Sequence, residues 1–173
     1  MNKKNHSHGD GSFKKSEFMK IAENVIIEKN VLIFHPESIS IGINVYIGHN
    51  TILKGYYKNE MKIGDNTWIG QNCFFHSAGG LYIGDSVGIG PYVKIITSAH
   101  KDNCLSNPVL YNEIKFDQVI IEDGSDIGIG SIVISGTKIG EGAIIGAGSV
   151  VTKDIPPYAV AAGSPAKVLR YRK

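Results

Sequence analysis

Residues able to do acid–base, nucleophilic or metal chemistry are few in this chain. Histidine stands at positions 6, 8, 35, 49, 76 and 100, and cysteine at 73 and 104. His100 lies in the longest irregular stretch, ITSAHKDNCLSNPVLYNEIKFDQVI, which runs from Ile96 to Ile120. An unperturbed imidazole titrates near pH ~6.5, so a loop histidine suits a general base at neutral pH. Taken alone, His100 reads more readily as a loop residue bonded to a backbone carbonyl. His76, in FHSAGG, is evenly open to an acceptor contact or an exposed polar role. Asp102 is close to His100 in sequence, which is a poor guide to geometry, and it reads as solvated loop charge. His6 and His8 belong to a loose polar arm, Met1 to Gly11, where two histidines rarely build a metal site.

What must position these residues is a ladder with a period of six. Ile121, Ile127, Val133, Ile139, Ile145 and Val151 open the units IEDGSD, IGIGSI, VISGTK, IGEGAI, IGAGSV and VTKDIP. Ser125, Ser131, Thr137, Ala143 and Ser149 fill the fifth positions. This period fits neither a 3.6-residue helix nor a lone alternating strand. Hexapeptide self-similarity reads as a parallel β-helix, a short strand and a corner repeated. The aliphatic first and small fifth side chains point inward, and Gly, Asn and Asp serve the tight corners.

The leading residues group in threes: 21/27/33, 41/47/53, 63/69/75, 83/89/95, 121/127/133 and 139/145/151. The steps 33→41, 53→63, 75→83 and 95→121 exceed six by two, four, two and twenty residues. Every insertion therefore follows a third hexad. If three hexads make one turn, all insertions leave one corner of a three-sided prism. Six coils at the strand spacing of ~4.8 Å give a height of about 29 Å. The expected organisation is a flexible arm and short cap over residues 1–20 and the β-helix over 21–155. A protruding loop spans 96–120, and a fold-back strap with a basic tail spans 156–173. The loop carries Leu105, Leu110, Tyr111 and Phe116, which suits packing on a neighbour.

Composition narrows the class. The length of 173 residues suits one domain, and a net charge of +2 is too mild to imply nucleic acid. Two cysteines are too few for a disulfide framework. Cys73 falls at an inward fifth position and reads as a buried thiol. No uncharged run approaches the ~20 residues that cross a bilayer, and the N-terminus lacks a signal-peptide core, so the expectation is cytoplasmic.

The hexads, the His-bearing loop and the ending GAGSVVTKDIPPYAVAAGSPAKVLR together resemble the hexapeptide-repeat acyltransferases, nearest to galactoside, maltose and polysaccharide-sugar O-acetyltransferases. The resemblance covers Ile21 to Arg170. It implies an all-β, left-handed parallel β-helix of about six triangular coils, assembled as a homotrimer with active sites between subunits. It implies acetyl-CoA as co-substrate, no metal, and a sugar or sugar-containing acceptor. By match to the family motif, His100 is the catalytic base. The backbone around Ile129 and Ala147 lines the pantetheine arm, and Thr152, Lys153 and Arg170 meet the nucleotide phosphates. The Ile129 amide is the candidate oxyanion donor, and transfer is direct, without an acyl-enzyme on either cysteine. Glu122 and Asp126 depart from the family pattern, where Gly and an aromatic residue are usual. That acidic pair fits either an unusual acceptor, such as an amine, or corner filling.

Two other readings stay open at this stage. A carbonic anhydrase of the same fold needs three converging histidines with a pair five apart, and no pair here has that spacing. A non-catalytic trimeric scaffold needs neither the His-bearing loop nor the basic tail. O- and N-acetylation are not distinguished by the sequence.

Overall fold

The computed structural model describes residues 6–102, 105–106 and 108–173, so Cys104 lies outside the described residues. The chain winds into a left-handed parallel β-helix with three faces. Lys20–Ile21, Ile39–Ile41, Met61–Ile63, Leu81–Ile83, Val119–Ile121 and Lys138–Ile139 stack as the first face. The second face stacks Ile26–Ile27, Tyr46–Ile47, Trp68–Ile69, Gly88–Ile89, Asp126–Ile127 and Ile144–Ile145. The third stacks Leu32–Phe34, Ile52–Lys54, Phe74–His76, Lys94–Ile96, Ile132–Val133 and Val150–Val151. Ala159–Gly163 adds a seventh parallel strand to the second face, and Ala166–Tyr171 returns antiparallel over it.

Register follows the six-residue ladder residue for residue. Ile21, Ile41, Ile63, Ile83, Ile121 and Ile139 pair in one column. Ile33, Leu53, Phe75, Ile95, Val133 and Val151 pair in another. These residues fill the prism and are buried almost throughout. Each such aliphatic side chain withdrawn from water contributes about 1.5–3 kcal/mol. A one-residue slip would turn a whole column outward, so the pattern fixes register as well as fold.

The small fifth residues are also buried, and their polar atoms are satisfied along the stack. Thr51, Thr67, Ser125 and Ser131 each donate their hydroxyl, at 3.0–3.1 Å, to the carbonyl of Gly70, Gly84, Gly140 and Gly146 in the next coil. The Cys73 thiol points at the Gly90 carbonyl in the same way, 3.3 Å away. Burial pushes this thiol up to about 11, so Cys73 is an inert core group.

Glycine and asparagine divide the corner work differently from the sequence expectation. The glycine after the leading residue is not left-handed. It is there because a Cβ would strike the next coil, as at Gly128, where it would lie 2.6 Å from the Ala147 nitrogen. Positive φ belongs to the fourth position, filled by Asn24, Asn44 and Asn66 in early coils and by Gly124, Gly142 and Gly148 in late ones. Asparagine tolerates this region better than other side chains, and glycine enters it without steric cost.

All the longer connections leave the corner between the third and first faces. Pro36–Ser38 forms a 3-10 turn there, and Tyr56 and Asn59 close the next insertion by an antiparallel bridge. Above them Ser98–His100 pairs antiparallel with Ile114–Phe116, making a hairpin that projects from the prism. At the bottom, Phe18 is buried and Phe13 meets it edge-on at 5.8 Å, closing the first coil.

Candidate active site

The hairpin is rooted in the coil beneath it. Thr97 donates its hydroxyl to the His76 carbonyl at 2.8 Å and accepts the Gly79 amide at 2.8 Å. The Asp117 amide returns to the Thr97 carbonyl at 3.1 Å. His100 pairs with Ile114, and Ser98 with Phe116. Directly opposed residues of an antiparallel pair share a face, so His100, Ile114 and Phe116 lie on one side of the ribbon.

His100 Nδ1 lies 3.1 Å from the Asn112 carbonyl oxygen. A carbonyl only accepts, so Nδ1 carries the proton and Nε2 keeps its lone pair. Asn112 is itself fixed, its amide bonded to the Val109 carbonyl at 3.0 Å and its Nδ2 to the Lys101 carbonyl at 2.9 Å. Lys101 Nζ in turn meets Glu113 at 2.6 Å. Asp102 is exposed. The orienting group is therefore a backbone carbonyl twelve residues along the chain, the kind of bond expected of a loop histidine taken alone.

His76 sits on the third face between Lys54 and Ile96 in the ladder. It is half-buried, where the sequence left an acceptor contact and an exposed polar role evenly open. Burial first, and then the charges of Lys54 and His8, hold its imidazole below the ordinary value of 6.5. Tyr56 meets it edge-on at 6.0 Å and meets Phe116 at 6.0 Å. Tyr57 lies 4.5 Å from Tyr56, and Lys58 Nζ sits 5.2 Å from the Phe116 ring centre. This cluster went unseen in the sequence, although the insertion of four residues that holds it was visible.

Ile129 and Ala147 occupy the corner between the second and third faces, and both are exposed. Gly90 and Gly128 lie against them without side chains, bringing the coils into close contact. The amides of Ile129 and Ala147 make no hydrogen bond to any described residue. The corner between the first and second faces is different. There the amides of Ile43, Asp65 and Asp85 donate to the carboxylates of Asp65, Asp85 and Asp123 at 2.7–2.9 Å. Glu122 ends that ladder, accepting the Glu141 amide at 3.1 Å and pairing with Lys138 Nζ at 2.6 Å. The hydrogen bond from Lys138 holds the Glu122 carboxyl below its ordinary range. Glu122 is thus corner filling, and Asp126 is exposed on the second face, away from His100.

Thr152 and Lys153 are exposed where the third face turns into the first in the top coil. Arg170 is exposed on the returning strand, opposite Val160 on the second face. The fold therefore brings His100, His76 and Lys153 to one corner at different heights. It places Ile129 and Ala147 on the next corner and Arg170 on the second face. Within one chain these groups do not converge.

Among the described residues no three His, Cys, Asp or Glu side chains form a metal-holding group. No helix of the described residues is long and apolar enough to cross a membrane.

The family described as the hexapeptide repeat of succinyl-transferase matches residues 118–153. Galactoside O-acetyltransferase of Escherichia coli is 32% identical over 176 residues, which is 96% of this chain and 72% of that protein. The chain belongs to the hexapeptide-repeat acyltransferase family. A Schizosaccharomyces pombe protein named as an acetyltransferase is 39% identical over 136 residues, 78% of this chain but only 56% of its own length. Among solved structures, AntD, an N-acyltransferase from Bacillus cereus in complex with dTDP and 3-hydroxybutyryl-CoA, superposes with a TM-score of 0.82 at 27% identity. That likeness covers 92% of this chain and 86% of AntD. A point mutant of AntD has been solved with dTDP-4-amino-4,6-dideoxyglucose and coenzyme A.

Proposed function

We propose that this chain is a cytoplasmic acetyltransferase that moves the acetyl group of acetyl-CoA directly to a hydroxyl or amine of a sugar-containing acceptor. The observation that carries the reading is the kinship with galactoside O-acetyltransferase along almost the whole chain, and the His100–Asn112 bond, which a non-catalytic loop histidine also makes, is compatible with Nε2 as the base. The named activities of galactoside O-acetyltransferase and of AntD support the acceptor class.

In this mechanism Nε2 of His100 takes the proton of the acceptor hydroxyl or amine as the new bond to the acetyl carbon forms. The carbonyl becomes an oxyanion, which the unpartnered Ile129 amide of a neighbouring copy receives. The carbon–sulfur bond then breaks, and His100 returns its proton to the departing thiolate. A positioned general base of this kind contributes about 10²–10⁴-fold. The open amide of Ala147 fits an amide carbonyl of a pantetheine arm, which the backbone around Ile129 also lines. Thr152, Lys153 and Arg170 supply a hydroxyl and two cations for phosphates. His76 contacts the acceptor side.

The dispersal of these groups over two corners and a face of one chain favours a site completed by a second copy. One subunit contributes the His100 hairpin and its neighbour the Ile129–Ala147 corner, in a homotrimer. The test is thiol release from acetyl-CoA with a panel of galactosides and nucleotide-linked amino sugars. Acetylation of at least one sugar supports the reading. Acetyl-CoA that neither binds nor turns over would leave a scaffold as the better account.

A further inference from the structure

His100 stands on a hairpin that does not set its own direction. Ser98–His100 and Ile114–Phe116 make three residue pairs, and a two-stranded hairpin by itself is only marginally stable in water. The bond to the Asn112 carbonyl and the Lys101–Glu113 pair both lie within the hairpin. They fix the imidazole on the ribbon and leave the ribbon's angle to the prism open. Phe116 rests against Tyr56 with ring centres 6.0 Å apart, but apolar contact is non-directional. Hydrogen bonds are directional, and those that join hairpin to prism lie at its root.

Thr97 is that root. It stands between Ile96 of the third face and Ser98 of the hairpin, and it is fully buried. Its hydroxyl is used in both senses, donating to the His76 carbonyl at 2.8 Å and accepting the Gly79 amide at 2.8 Å. Its own carbonyl accepts the Asp117 amide at 3.1 Å and closes the base of the ribbon. Gly79 is tight against this base, since a Cβ there would lie 2.6 Å from the Asp117 nitrogen. The turn that carries Gly79 is braced from below, where Asn59 Nδ2 donates to the Ala78 carbonyl at 2.7 Å. Ser38 plays a similar part lower down, donating to the His35 carbonyl at 2.9 Å and accepting the Tyr56 amide at 3.1 Å. The connections of this corner therefore brace one another upward, and the last of them carries His100.

We propose that Thr97 is a positioning residue for the reaction. Its hydroxyl, held by the His76 carbonyl and the Gly79 amide, fixes the angle at which the hairpin leaves the prism and so the place of His100 Nε2. This rests on the acetyltransferase reading, in which Nε2 takes the acceptor proton. A misplacement of about 1 Å at a reacting group costs up to about 10²-fold in rate, so a small change at the root is felt at the base.

The test is kcat and the KM for acetyl-CoA, with an accepted sugar, in Thr97→Val, which removes the hydroxyl, and in Thr97→Ser, which keeps it. Thr97→Val should lose about 10–100-fold in kcat at an unchanged KM, and Thr97→Ser should recover most of that loss. In a His100→Ala background Thr97→Val should cost nothing further, because residues that act through one group are not additive. Asn59→Ala, at an exposed position, should lower kcat about threefold by the same route, and it decides alone if Thr97→Val does not fold. An unchanged kcat in these variants, a serine variant as slow as the valine one, or an equal loss without His100 overturns the proposal. Wild-type turnover alongside any of those results leaves the enzyme reading standing. A wild type that acetylates no sugar would remove the enzyme reading and the positioning role together.

Discussion

His100 Nδ1 and the carbonyl oxygen of Asn112 are 3.1 Å apart across the hairpin, a donor and an acceptor twelve residues distant in sequence. The bond fixes the neutral ring as the Nδ1–H tautomer. Nitrogen-15 NMR of the neutral imidazole should show a protonated Nδ1 and a lone-pair Nε2. The opposite tautomer would mean that Asn112 does not position the ring.

The glycines divide into two kinds with different tolerance. A Cβ on Gly128 meets the Ala147 nitrogen at 2.6 Å, backbone against backbone. Gly128→Ala should lower unfolding stability by about 1–3 kcal/mol, the usual cost of overpacking. Gly148 has φ +67° and open space where a side chain would go, in a position that asparagine fills in early coils. Gly148→Asn should cost about 1 kcal/mol, the low end for a non-glycine residue held at positive φ. Denaturant midpoints compare the two.

Glu122 offers a pH test at the opposite corner. Its folded carboxyl lies below the ordinary 4.5 because Lys138 donates to it. A lowered folded value means the stabilisation is present above the unfolded value and is lost as pH falls through the folded one. With a half-exposed partner the pair is worth about 0.2–1 kcal/mol at neutral pH. Glu122→Gln should show that deficit in urea unfolding at pH 7 and converge with the wild type in acid. An unchanged gap in acid would point to packing in place of charge.

Lys153 is exposed in the top coil, above the hairpin that carries His100. Lys153→Ala should raise the KM for acetyl-CoA several-fold with kcat little changed, the pattern of lost uniform binding. A fall in kcat at constant KM would place Lys153 in the chemistry instead.

The coil, its three faces and its register were legible because an inward aliphatic first residue and an inward fifth residue in every six leave their mark on a single sequence. The phase of the insertions also located the corner from which His100 projects. Less was legible wherever side chains meet across coils. Asn112 acts through its backbone carbonyl, which any residue type supplies, so no letter marks it. Tyr56 and Phe116 are sixty residues apart and meet only because the second and fourth connections leave the same corner. His76 stood evenly open between an acceptor contact and an exposed polar role, and it is half-buried with Tyr56 edge-on to its ring. The separate roles of Gly128 and Gly148 depend on the distance between coils and on φ, and neither is written in residue identity.

The most direct test of the account is the turnover of His100→Ala with acetyl-CoA and an accepted sugar, measured with coenzyme A affinity and assembly size. The account predicts a loss of about 10²–10⁴-fold in kcat with affinity and assembly retained. A variant that turns over as fast as the wild type would contradict it and remove His100 from the chemistry.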